Sequence, residues 1–178
     1  MTASIALSAE SPRRFEEKQL STFNGLPAHV LLVHFIVVLA PLTAILAIIC
    51  ALWPAARQRL VWLVLTLTVI TTILTPLTTD AGEWLEKLKG RSPLLHAHTE
   101  LGDTMLYFAI ALTAAAMLIA VVHLREARGR SVKPLARWLI VGVVIIASVA
   151  TTVQVYRIGD SGAKATWGEQ SVARPETP

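Results

Sequence analysis

Charge is scarce in this sequence and cysteine almost absent. Only 16% of the 178 residues are Asp, Glu, Lys or Arg, against roughly 25% in an ordinary soluble domain. Such a chain lacks the polar surface to stand alone in water. The single Cys50 rules out an intramolecular disulfide, and its place in an apolar run marks it as a small packing residue. No phosphate-binding glycine loop, HExxH or nucleophile-triad motif occurs, so neither nucleotide nor hydrolytic chemistry is expected and the reading is non-enzymatic. Residues 1–22 are polar and lack an apolar h-region, which argues against a cleavable signal peptide.

What the chain does have is long uncharged stretches. Residues 30–53, 60–79, 104–124 and 138–156 contain no Asp, Glu, Lys or Arg. A helix needs about 20 mostly apolar residues to cross the hydrocarbon layer. Backbone in lipid must bond to itself, so these runs are helices. The fold class is all-α: a polytopic integral membrane protein, a four-transmembrane-helix antiparallel bundle with spans at about 30–53, 60–79, 104–124 and 136–156. Residues 1–22 form a polar N-terminal tail, 23–162 the transmembrane domain, and 163–178 a polar, disordered C-terminal tail.

Punctuation refines this picture. NGLP at 24–27 reads as a turn before span one. Trp53-Pro54 ends that span, leaving 55–59 as a tight hairpin loop. DAGEWLEKLKG, from Asp80, is amphipathic and predicts a short interfacial helix between spans two and three. Ser92-Pro93 is an N-cap and first-turn proline for the next helix. The net charge of +4 does not point to nucleic acid. The cations lie in short loops, where Arg57, Arg59, Arg125, Arg128, Arg130, Lys133 and Arg137 set orientation, and their density predicts termini on the outer face of the cell membrane.

With four spans, the N-terminal segment, the connection between spans two and three and the C-terminal tail share one face. That face collects His29, His34, Asp80, Glu83, His96, His98, Glu100, Asp103 and Asp160. Ionisable groups at membrane depth usually face the bundle and find a partner. On the third helix, His96, Glu100, Asp103 and Tyr107 form one stripe, and His98, Gly102, Met105 and Ala109 another about 200° away. Small residues around His98 favour its stripe as the packed one. Span two carries Thr68, Thr72, Thr75 and Thr79, expected to bond between helices.

NGLPAHVLLVHFIVVLAPL, TTDAGEWLE, HTELGD and VQVYRIGDSGAKATW together resemble the bacterial membrane proteins grouped as domain of unknown function 2231. The likeness spans about residues 23–168. It implies a four-helix membrane domain without an established activity. By position it carries over His29, His34, Glu83, His98, Gly102 and the GDSGA turn. Some members are joined to c-type haem segments, which implies redox surroundings. Members often read GHSGA where this chain has GDSGA; Asp160 suits a hard or borderline metal ion better than haem.

These readings converge on a His/carboxylate metal- or proton-binding site at one membrane face. Its expected first shell is His34, His98 and Asp160, holding a transition metal, with the remaining polar residues nearby. One alternative is a b-type haem electron-transfer protein with His34 and His98 axial. Another is a structural accessory subunit of an envelope complex. The expected partners are the lipid bilayer and either a second copy or a redox complex.

Overall fold

The computed structural model describes residues 22–23, 26–89 and 92–172. Thr22–Phe23 (β1) pairs antiparallel with Leu26–Pro27 (β2). Five helices follow: α1 Ala28–Leu52, α2 Pro54–Lys89, α3 Pro93–Asp103, α4 Met105–Ala127 and α5 Pro134–Val172. Four segments are long and apolar enough to cross a membrane: His29–Leu52, Pro54–Lys87, Pro93–Ala127 and Pro134–Trp167. The protein is an all-α polytopic bundle. α1 packs on α2 and α5, and α4 packs on the same two from the other side.

Small side chains make the seam. Ala40, Ala44, Ala47 and Ala51 on α1 and Ala109, Ala115 and Ala116 on α4 are buried. On α1 they recur at three- or four-residue steps, so the backbones approach closely, which substitutes for the hydrophobic drive that lipid cannot supply. The outward face is the reverse of a soluble protein: Val38, Ile45, Ile73 and Ile146 are 55–71% exposed. Only a bilayer solvates a belt of that kind.

Several local expectations change. The α1–α2 connection has no loop, because Pro54 restarts the helix directly after Trp53. The amphipathic segment from Asp80 is no separate interfacial helix but the last turns of α2, since nothing between Thr79 and Asp80 interrupts the backbone ladder. The separate short helix is instead α3, the first turns of the third membrane-length segment, capped by the Ser92 hydroxyl accepting from the Leu95 N–H at 3.5 Å. A single turn residue, Thr104, separates α3 from α4. Gln154 of α5 holds this break by donating to Thr104 Oγ1 at 2.6 Å and to the Leu101 carbonyl at 3.3 Å. The GDSGA segment is helix rather than turn, and α5 runs on to Val172, well past residue 163.

The threonines also behave differently. Thr68, Thr71, Thr75 and Thr78 are the buried set on α2, and each donates to a carbonyl of its own helix. That choice satisfies the hydroxyl without a partner helix. Cross-helix bonds are fewer: Thr72 to Thr113 at 2.9 Å and Thr151 to the Phe108 carbonyl at 3.3 Å are two of them. At the end of the bundle away from the termini, Arg57 is 1% exposed. It donates to the Glu126 carboxylate from both Nε and Nη2 and caps the end of α1 through the Cys50 carbonyl at 3.0 Å. Read from the sequence as a loop cation, Arg57 is instead a structural lock.

Candidate imidazole cavity

The ends of α1, α2, α3 and α5 that carry the polar residues enclose a cavity of about 80 Å³. Its walls are largely apolar, from Val33, Ile36, Val155 and Ile158 among others, with His29 and His98 as the two titratable groups in the lining. Each ring is placed by a helix that lacks a side chain. A Cβ on Gly82 would lie 2.9 Å from His29 Cε1, and one on Gly162 would lie 3.0 Å from His98 Cε1. Glycine inside a helix costs roughly 1 kcal/mol relative to alanine, and here it admits an imidazole.

The hydrogen bonds fix which nitrogen carries the proton. His29 Nδ1 lies 2.9 Å from the Thr78 carbonyl, which can only accept, so Nδ1 is the N–H. Ser161 donates its hydroxyl to the Ile158 carbonyl at 2.9 Å. Its oxygen is therefore free to accept from His98 Nδ1–H, also at 2.9 Å. In both rings Nδ1 is thus taken up by an oxygen, and Nε2 is the nitrogen that these bonds leave over. An Nδ1–H anchored to an oxygen is the usual support for an Nε2 that binds a metal.

The other sequence candidates are elsewhere. His34 is exposed on α1 and spends its Nδ1 on the Val30 carbonyl of its own helix. Asp160 lies on the outer face of α5, paired with Lys164 at 2.7 Å. Neither lines the cavity, so the structure does not bring His34, His98 and Asp160 together. His96 is exposed and stands between two carboxylates, Glu86 Oε1 at 3.4 Å and Glu100 Oε1 at 3.5 Å. Glu83 pairs with Lys87 at 3.5 Å. Asp80, Glu83, Glu86 and Glu100 all act electrostatically on Asp103, an acidic cluster at the same end of the bundle. Among the described residues, no three His, Cys, Asp or Glu side chains converge as metal ligands.

A family model described as a predicted membrane protein (DUF2231) matches residues 25–173. The chain belongs to the DUF2231 family. No curated protein and no solved structure matches it. Within this DUF2231 chain, the residues that sequence reasoning missed are Thr78 and Gly82, which position the His29 ring, and Glu86, which is buried, while Ser161 and Gly162, which position His98, were carried over only as part of a turn. Glycines inside otherwise regular helices were the available signal.

Proposed function

We propose that this DUF2231 protein is a non-enzymatic integral membrane protein that binds a transition-metal ion in the imidazole cavity, through Nε2 of His29 and His98. The observation that carries the reading is the pair of rings, each anchored through Nδ1 to an oxygen, in the lining of one cavity. Relative to the expectation from sequence, His29 takes the place of His34, and Asp160 leaves the ligand set. The acidic cluster around Asp103, at the same end of the bundle, supports a cation as cargo, since clustered carboxylates raise the local cation concentration. Haem fits less well: sites for ligands of its size run to about 300 Å³ and more, against about 80 Å³ here. In the cell membrane, with termini outward, the cavity would open to the outer face.

The test is metal titration of the detergent-purified protein with Zn(II), Co(II) and reduced copper, followed by metal analysis. One ion per chain is expected, lost in His29→Ala and in His98→Ala and kept in His34→Ala and His96→Ala. A Soret band that vanishes in His98→Ala would replace the ion with haem. Protein that takes up neither would be left with a structural role in an envelope complex.

A further inference from the structure

The imidazole pair does not stand alone in its cavity. Met105, the first residue of α4, is 3% exposed and lines the same cavity as His29 and His98. It lies seven residues beyond His98, two helical turns on, and so shares the His98 and Gly102 stripe. The break at Thr104 leaves that stripe facing inward: Met105 and Ala109 are buried, while Glu100, Asp103 and Tyr107 are exposed.

From this donor set we infer that the cavity is a site for monovalent copper, with the Met105 thioether completing a ligand set of two imidazoles and one sulfur. The inference rests on the metal-binding reading above and narrows it to one ion. Three features of the lining favour that ion. The first is softness: a thioether selects Cu(I), and imidazole also serves copper, whereas carboxylate and water serve Mg, Ca and Mn. No Asp or Glu is in the lining.

Coordination number is the second. Zn(II) takes four ligands in tetrahedral sites and typically three protein side chains even when catalytic. The cavity offers two histidines, and no third His, Cys, Asp or Glu converges with them among the described residues. A closed-shell monovalent ion is content with two or three donors, which is what these walls provide.

Charge is the third. An imidazole binds a metal ion as the neutral ring, and a thioether is neutral too. The cost of placing an ion among apolar walls grows with the square of its charge, so a neutral donor set tolerates a single positive charge far better than a double one. The carboxylates around Asp103 lie outside this set.

The experiment uses the full chain in detergent, with ascorbate-reduced copper and a chromophoric Cu(I) chelator as competitor, and Zn(II) measured separately. Met105→Leu conserves volume and is well tolerated in packed cores. It is expected to weaken Cu(I) by about tenfold or more, the scale on which even supporting residues alter metal affinity, and to leave Zn(II) unchanged. X-ray absorption at the copper edge should show one sulfur scatterer in the parent protein and none in the variant. Unchanged Cu(I) affinity in Met105→Leu, or Zn(II) binding tighter than Cu(I), overturns the copper assignment while leaving the two-histidine site standing. If neither ion binds, the underlying metal reading fails as well.

Discussion

The His29 ring occupies the space that a side chain at position 82 would fill, 2.9 Å from the ideal Cβ position of Gly82. The same relationship holds between His98 and Gly162 at 3.0 Å. In both cases the glycine lets a ring reach an oxygen on the neighbouring helix.

Gly82→Ala and Gly162→Ala should therefore destabilise the protein by about 1–3 kcal/mol, the usual cost of overpacking. Gly142→Ala and Gly159→Ala, where an added Cβ meets nothing within 4 Å, should be neutral or slightly stabilising, since alanine favours helix. Thermal unfolding in detergent compares the four. Equal behaviour across them would mean that the rings do not depend on their glycines.

Ser161 links His98 to the backbone of α5 and touches no metal in the proposed arrangement. Ser161→Ala should lower metal affinity by about tenfold without unfolding the bundle. Asp160→Asn, one residue away, breaks only an exposed surface pair with Lys164 and should change neither affinity nor stability. Reversed effects, read by chelator competition, would put the ligand on the outer face of α5.

Arg57→Met and Glu126→Gln test the lock at the opposite end. Removing Glu126 leaves a guanidinium that is almost wholly buried with only carbonyl partners. Breaking a buried pair from one side typically costs about 3–5 kcal/mol. Replacing Arg57 by an apolar residue of similar length should cost less, because no orphaned charge stays behind in the seam. Unfolding midpoints of the two variants and the double variant decide the order.

Orientation follows from labelling. Cys50 is buried, so the parent chain should give little background with a membrane-impermeant thiol reagent. Thr177→Cys should label in intact cells and Gln58→Cys should not, if the termini face outward. The opposite pattern would put the cavity on the cytoplasmic side.

The bundle was legible because uncharged runs of membrane length have few alternatives. The packed stripe that runs from α3 into α4 was legible for a related reason: His98, Gly102, Met105 and Ala109 recur at helical spacing with small residues among them. Which histidine of α1 meets His98 was not. His29 and His34 are five residues apart, about 140° around a helix, so only one can face the cavity, and the choice depends on the phase at which α1 starts. Ser161 and Gly162 were visible as part of a specific block. Their role depends on α5 continuing as helix through a segment whose glycines and aspartate suggested a turn. The Arg57–Glu126 lock joins residues 69 positions apart, a pairing that no local pattern announces.

The length of α2 fixes the depth of the cavity. Gly82 stands 28 residues beyond Pro54 on one unbroken helix, which at 1.5 Å per residue is about 42 Å. The hydrocarbon layer is about 30 Å thick, and about 40–45 Å with its headgroups. With the Pro54 end at one boundary, the imidazoles sit among the headgroups of the opposite leaflet. A cation bound there, as proposed, would arrive from water without crossing oil. Lipid charge then becomes a variable of the site, since anionic headgroups concentrate cations within a Debye length of the surface. The occupancy of the cavity in a bilayer would be set partly by the leaflet in which it lies.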